Sequence, residues 1–394
     1  MNFSSKYYSK RDPVSILALE SYDFAKAKDA LLRVISDILP LSETVRGKRV
    51  IIKANLVSAM KPSSGATTHP TLLAALCELL CENGAEVILG DSPGGLYNSA
   101  FVGRVYRVSG ACEVENHGGR LNYDFSERSA VFEEGKVLKT FAYTGYLDNA
   151  DLIINFSKLK SHGMMGMSAA AKNMFGAVPG IIKPEYHYRF PKYEDFADMI
   201  IDLNEYFHPV LSICDAVLGM EGNGPTAGTP KQMGFLLASK SPHNLDLLAS
   251  HLLGFQREEL PILNGAYLRG MIPESVNELN VKGDYSSLYV KDFERVIERR
   301  GLEFASDGGP LKRAFGKIAS AILKTRPKLK RDICVGCGIC RDICPAKAIT
   351  IENGKAKIER RTCIRCFCCQ EFCPKSAMKV ERTALARLFH SERK

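Results

Sequence analysis

Cys334-Val-Gly-Cys337-Gly-Ile-Cys340-Arg-Asp-Ile-Cys344-Pro345 decides how the C-terminal part of this chain folds, and Cys363-Ile-Arg-Cys366-Phe-Cys-Cys369-Gln-Glu-Phe-Cys373-Pro374 repeats it 29 residues later. The flanks correspond too, Ala348 to Ala377 and Ile349 to Met378. A close Cys-x-x-Cys-x-x-Cys turn lets three thiolates cap one face of an iron–sulfur cube. The Cys-Pro end then turns the chain away, so that its thiolate reaches a neighbouring cube. Zinc fits less well, because each tetrahedral ion needs four ligands and no third Cys at this spacing. A disulfide framework would require an oxidising compartment and a secretory signal.

The doubled run resembles that of bacterial two-cluster ferredoxins, in which the fourth Cys of each run ligates the other cluster. The resemblance implies two 4Fe–4S clusters, one held by Cys334, Cys337, Cys340 and Cys373 and the other by Cys363, Cys366, Cys369 and Cys344. It also implies a small α+β ferredoxin-like domain over residues 332–381. The second run departs from the first by carrying Phe367-Cys368 where the first has Gly338-Ile339. Cys368 is read as a packed spare thiol.

At 394 residues the chain suits two or three domains. The stretch from Met1 to Pro13 has no apolar core and is expected to be no signal peptide. Apolar runs such as 71–80 fall far short of the ~20 residues of a membrane helix, so no membrane span is expected. The five cysteines besides the eight ligand positions (Cys77, Cys81, Cys112, Cys214 and Cys368) are scattered like reduced thiols, which points to the cytoplasm. The net charge of +9 suggests nucleic acid at first sight. Residues 331–381 hold ten Lys/Arg and six Asp/Glu, a balance of +4, and two oxidised clusters with their eight thiolates would add about −4. Lys324, Arg326, Lys328, Lys330 and Arg331 surround Pro327 and read as a solvated basic linker, 324–331, followed after the ferredoxin module by a basic tail, 382–394. No aromatic interleaving accompanies these charges, so no nucleic-acid partner is expected.

Residues 1–323 read as one α/β domain. Short apolar or β-branched runs at 14–19, 49–53, 86–89, 151–156, 209–217 and 233–238 alternate with helical stretches at 24–38 and 70–82, and 130–143 looks like a hairpin. Asn83-Gly84 marks a helix end. This alternation argues for a mostly parallel sheet with helices on both faces. The segment 255–323 is harder to read and could pack on the sheet or form a subdomain.

In such sheets ligands gather beyond the carboxyl ends of the strands, and unusual polar residues follow four of the expected strands. They are Lys53 and Asn55; Asp91 in Gly90-Asp-Ser-Pro-Gly; Lys158, Lys160 and His162, followed by Lys172 and Asn173; and Glu221 and Asn223, with Asp215 just inside the strand. Lys158, Lys160 and His162 could form one solvated face of an extended segment. Apolar flanks at 153–156 and 164–167 favour buried cations, which are costly unless an anion or carboxylate meets them. Thr67-Thr68-His69-Pro70 reads equally as a helix N-cap or as an anion site, and Asp91 is by type a turn residue. Together the blocks Lys53-Ala-Asn55-Leu, Gly90-Asp91-Ser-Pro-Gly, Lys158-Leu-Lys160-Ser-His162, Lys172-Asn173-Met-Phe-Gly176 and Glu221-Gly-Asn223-Gly-Pro225 resemble the domain-of-unknown-function 362 family, over residues 53–254. The resemblance implies the domain division and the choice of site residues, and it supplies no reaction.

Three functions compete. In the leading one, a ferredoxin-linked oxidoreductase draws electrons from a redox partner protein and passes them to an anionic small molecule. Lys160, His162, Lys172, Asp91 and Glu221 would be catalytic, and Lys53, Asn55, Lys158, Asn173 and Asn223 would bind substrate. The second is a non-catalytic electron carrier or maturation factor. The third is a metal-dependent hydrolase or isomerase in which the clusters are structural.

Overall fold

Strand β2, Arg49–Lys53, shows how the sheet is covered: Val50 and Ile52 enter one apolar core and Ile51 enters another. Period-2 alternation with apolar residues on both faces requires a layer on each side. Helices Phe24–Ser36 and Pro70–Glu82 supply one layer, and helices Tyr193–Phe207, Pro242–Leu252 and Pro261–Leu268 supply the other. The computed structural model describes residues 5–295 and 326–381.

Before β2 runs β1, Val14–Ala18. After it come β3 (Glu86–Gly90), β4 (Arg120–Leu121), β5 (Glu127–Val131), β6 (Thr140–Thr144), β7 (Leu152–His162) and β8 (Gly166–Ser168). Next are β9 (Leu211–Glu221), β10 (Thr229–Ser239) and β11 (Val281–Lys282). The large sheet has nine strands in the order β11-β1-β10-β9-β7-β2-β3-β4, with β8 paired to β7. β4-β3-β2-β7-β9 is parallel throughout, while β10 runs antiparallel to both β9 and β1. β5 and β6 form the hairpin expected near 130–143. Strand order reverses between β2 and β7, where an open α/β sheet forms its ligand crevice.

β7 is longer than its sequence suggested. Lys158, Lys160 and His162 are not in a loop after the strand; they lie inside it and are all buried. The helix over 70–82 is found as expected, with Pro70 in its first turn and His69 as N-cap. Of 255–323, helix Pro261–Leu268 packs on the sheet; 296–323 and the tail 382–394 lie outside the described residues.

The C-terminal module turns the 29-residue offset into structure. Helix Ile339–Asp342 is matched by Cys368–Glu371. Of its strands, β12 (Arg326–Leu329) is matched by β14 (Lys355–Ile358), and β13 (Ile349–Glu352) by β15 (Met378–Glu381). β12 pairs with β15 and β13 with β14. The basic linker expected at 324–331 is therefore corrected: Arg326–Leu329 is the first strand of the repeat. Charge and Pro327 suggested solvated coil, but the strand is two-stranded and open to water, so its Lys and Arg side chains need no burial.

Arg365 and Phe367 adopt φ of +60° and +64°, where the first copy has Gly336 and Gly338 at +68° and +83°. Left-handed backbone costs a side chain about 1–2 kcal/mol. At Phe367 the ring offsets this by inserting, 1% exposed, into the core of the α/β domain. Phe367→Ala is accordingly expected to cost about 3–5 kcal/mol. Urea titration of the full chain checks this; a cost near zero would mean that the ring does not anchor the module.

Candidate functional site

The carboxyl ends of β2, β3 and β7 converge on one cleft of about 650 Å³, counting its open mouth. Lys53, the last residue of β2, has its ammonium group 2.7 Å from Asp91 Oδ1, both side chains being almost fully buried. Asp91 also accepts hydrogen bonds from the N–H groups of Leu56 (2.7 Å) and Ser92 (2.8 Å), which locks the loop after β3 against the loop after β2. Gly176 passes so close that a Cβ there would lie 2.3 Å from Lys53 Nζ and 2.4 Å from Asp91 Oδ1 and would force that pair to shift. Asn55 bridges the strand-order reversal: its Nδ2 donates to Asn173 Oδ1 (2.8 Å) and its Oδ1 accepts from Lys160 Nζ (2.7 Å). Asn173 in turn donates to Asn155 Oδ1 and to the Lys53 carbonyl.

His162 ends β7 with its tautomer set by the backbone. Its Nδ1 accepts the N–H groups of Met164 (3.1 Å) and Met165 (3.2 Å), so the proton sits on Nε2. Nε2 lies 3.0 Å from Glu371 Oε1 but is poorly aligned with it, leaving both atoms without a proper hydrogen bond. Burial and the neighbouring Lys172 hold the imidazole down to about 4, so it is neutral at pH 7. Burial alone would raise the Glu371 carboxyl, but His162 and Lys172 outweigh it and hold it below the usual range, at about 2. Lys160 is pushed down to about 7 by burial and then by Lys172 and Lys158.

Of the residues singled out in the sequence, the cleft brings together Lys53, Asn55, Asp91, Lys160, His162, Lys172 and Asn173. Three others are elsewhere. Lys158 does not line the cleft: the β7–β9 register jumps from Lys158–Asp215 to Lys160–Met220, and Lys158 instead pairs with Asp215 (2.7 Å) and Tyr22, fully buried. Glu221 pairs with Lys231 (3.4 Å) and accepts the Glu294 N–H, outside the cleft. Asn223 holds the ferredoxin module, accepting the Val380 N–H at 2.9 Å.

Sequence reading missed Lys183, His187 and Glu371, all of which line the cleft. Lys183 donates to the Ser92 carbonyl and sits 5.9 Å from the Phe175 ring. Burial, with Lys53 and Lys172 nearby, lowers it to about 7 despite Asp91. His187 follows Pro184 on the short helix Lys183–Arg189 and is fully buried. Its unusual flank of tyrosines was the only sequence signal. Glu371 gave none, because it arrives from the other domain.

Four cysteines of the module meet at one cavity. Cys334, Cys337, Cys340 and Cys373 line one cavity under Leu329, Ile351 and Met378. The Cys340 thiol is raised to about 11 by burial and by Cys373, Cys337 and Cys334. The Cys369 thiol is raised by burial and then by Cys366, Cys363, Cys340 and Cys344, so it has neighbours from both cysteine runs. The N–H groups of Ala348 and Ala377 point at Cys344 Sγ and Cys373 Sγ, each at 3.2 Å. Four soft thiols around one cavity, with backbone donors aimed at sulfur, fit a 4Fe–4S cluster. Cys368 is buried beside Cys366 and does not line that cavity.

A strand-end cleft on an α/β sheet, closed on one side by an iron–sulfur module, defines the class. The chain belongs to the family described as domain of unknown function (DUF362), whose model matches residues 50–251, and a 4Fe-4S dicluster domain matches residues 326–374. It is 30% identical over 268 residues to the thylakoid-associated protein sll1697 of Synechocystis sp., a match covering 66% of this chain and 80% of that protein. Among solved structures, the lactate racemase apoprotein from Thermoanaerobacterium thermosaccharolyticum aligns at 11% identity and a TM-score of 0.38, covering 62% of this chain and 57% of that one. Among the described residues no helix is long and apolar enough to cross a membrane.

Proposed function

We propose that the chain binds two 4Fe–4S clusters and exchanges single electrons between them and an anionic molecule held in the strand-end cleft. The observation that carries this is the position of Glu371 and Phe372. They lie between the ligands Cys369 and Cys373, one from each cysteine group, and both line the cleft. Gln370, between the same ligands, donates to the carbonyls of Asn223 (2.7 Å) and Gly224 (3.0 Å), and Thr226 donates to the Glu371 carbonyl. The second cysteine run is thereby tied to the edge of the cleft.

The clusters, when bound, supply single electrons. The protein's own groups do the rest. Lys172 and Lys183 attract the anion, and the Nε2–H of His162 donates a hydrogen bond to an oxygen of the bound molecule. Lys160, poised near neutrality, holds or releases a proton beside it. The Lys53–Asp91 pair and Asn55–Asn173 fix the loops that carry these groups. This network supports positioning roles for Asp91 and Asn173 in place of direct chemistry. A surplus of cations opposes divalent metal binding in the cleft, which weighs against the hydrolase alternative.

The redox partner has a surface to use: Cys337 is exposed and surrounded by exposed Ile333, Val335 and Ile339. The scatter of Cys77, Cys81, Cys112 and Cys214 along the chain supports a reducing, cytoplasmic setting.

The test is anaerobic reduction of the iron-loaded chain with dithionite, followed by a panel of anionic metabolites, reading recovery of the visible absorbance. At least one should reoxidise the protein, and faster than it reoxidises Lys172→Met. If none does while a redox protein does, the electron-carrier reading replaces this one.

A further inference from the structure

The charges of the cleft do not balance. Lys53, Lys160, Lys172 and Lys183 face two carboxylates, Asp91 and Glu371, a surplus of two positive charges when all are ionised. Asp91 is committed to Lys53. Lys160 donates to two neutral oxygens, Asn55 Oδ1 (2.7 Å) and the Ala66 carbonyl (2.6 Å). Lys172 is 9% exposed, its ammonium group makes no hydrogen bond or ion pair with another described residue, and its Nζ is 5.3 Å from the Phe175 ring. Lys183 approaches the same ring. His187 meets that ring edge-on at 5.8 Å, and its buried Nδ1 has no partner. The Ser92 hydroxyl and His162 Nε2, also lining the cleft, are likewise buried and unpartnered. Buried ammonium groups without counter-charge are costly, and buried polar atoms normally have partners. Two ammonium groups and the His187 imidazole thus converge on the Phe175 ring, and the unpartnered Ser92 hydroxyl, His162 Nε2 and Glu371 Oε1 line the same cleft.

Resting on the reading of this cleft as a ligand site, we propose that its occupant is a compact dianion, seated by Lys172 and Lys183 over Phe175. A charge of −2 neutralises the surplus, whereas a monoanion leaves half of it. No arginine lines the cleft. Lysines bind as point charges and do not impose a bidentate carboxylate geometry. The shared chemistry is therefore the charge, carried either by one tetrahedral oxyanion or by a short dicarboxylate.

The dianion also draws in protons. Lys160 faces Lys158, Lys172, Asp91 and Glu371, and Lys183 faces Lys53, Lys172, Asp91 and Glu371; each is only part-charged near neutrality. Their folded values lie below the ordinary 10.5. In the ligand-free protein they therefore lower stability as the pH falls from the unfolded toward the folded value. A dianion offsets that loss, so its stabilising effect grows from pH 9 to pH 6.5.

The test is calorimetric titration of the iron-loaded full chain at constant ionic strength, in two buffers of different ionisation enthalpy. Sulfate probes the tetrahedral form, succinate the dicarboxylate, and acetate and chloride the monoanions. Sulfate or succinate should bind about tenfold or more tightly than either monoanion, with uptake of up to about one proton at pH 7. Whichever binds more tightly assigns the geometry. Lys172→Met and Lys183→Met should each weaken binding about tenfold, with iron content unchanged, while Lys139→Met on the surface should change nothing. Monoanion binding as tight as dianion binding, no binding of any probe, or binding without proton uptake would overturn the proposal. No electron transfer enters the measurement, so a failure of the redox reading leaves this result untouched, and the converse also holds.

Discussion

Cys373→Ser is expected to reduce iron from about eight to about four atoms per chain, and the cluster that is lost should be that of the first cysteine run. The reciprocal variant, Cys344→Ser, should lose the cluster of the second run. The reason is spatial. Cys373 shares its cavity with Cys334, Cys337 and Cys340 although it lies 33 residues beyond the last of them. The two clusters can be told apart by access: Cys337 is exposed, while Cys366 and Cys369 are buried. A water-soluble paramagnetic relaxant should therefore broaden the spectrum of the first and spare that of the second. The crossed assignment fails if each substitution removes the cluster of its own run. Cys368→Ala should leave the iron unchanged.

Asp215→Ala should be the most damaging single change in the α/β domain, at about 3–5 kcal/mol. It leaves the Lys158 ammonium group, fully buried, without its counter-charge. It also takes the acceptor from the N–H groups of His69 (3.0 Å) and Val217 (3.1 Å) and from the Tyr22 hydroxyl (2.9 Å). Lys158→Met should cost less, because Asp215 keeps those donors. The double variant should be more stable than Asp215→Ala alone, since no unpaired ammonium remains. Denaturant midpoints decide this, and strict additivity would mean that the pair is not coupled. Lys158→Met should also leave anion binding intact. That outcome separates Lys158 from Lys172, from which sequence alone could not distinguish it.

That contrast shows where sequence reading stops. Spacing alone marked the doubled cysteine run, because the Cys-x-x-Cys-x-x-Cys turn is local, whereas the crossed grouping was only what the ferredoxin resemblance implied. Short apolar runs such as Val50–Ile52, alternating with helical stretches, announced a sheet covered on both faces. The 29-residue offset also held the true start of the module, since Arg326-Pro-Lys-Leu stands where the second copy has Lys355-Ala-Lys-Ile, but its charge disguised it as a linker. Lys158 and Lys160 look alike in sequence. A register break between β7 and β9, set by packing across the sheet, gives one an aspartate partner and the other a place in the cleft. Glu371 reaches His162 only because Phe367 and Gln370 dock the module there, over 200 residues away along the chain. The net charge of a buried cleft is likewise a sum over residues that only the tertiary fold brings within Coulombic range, because one of its cations, Lys183, and one of its carboxylates, Glu371, come from segments with no local signal.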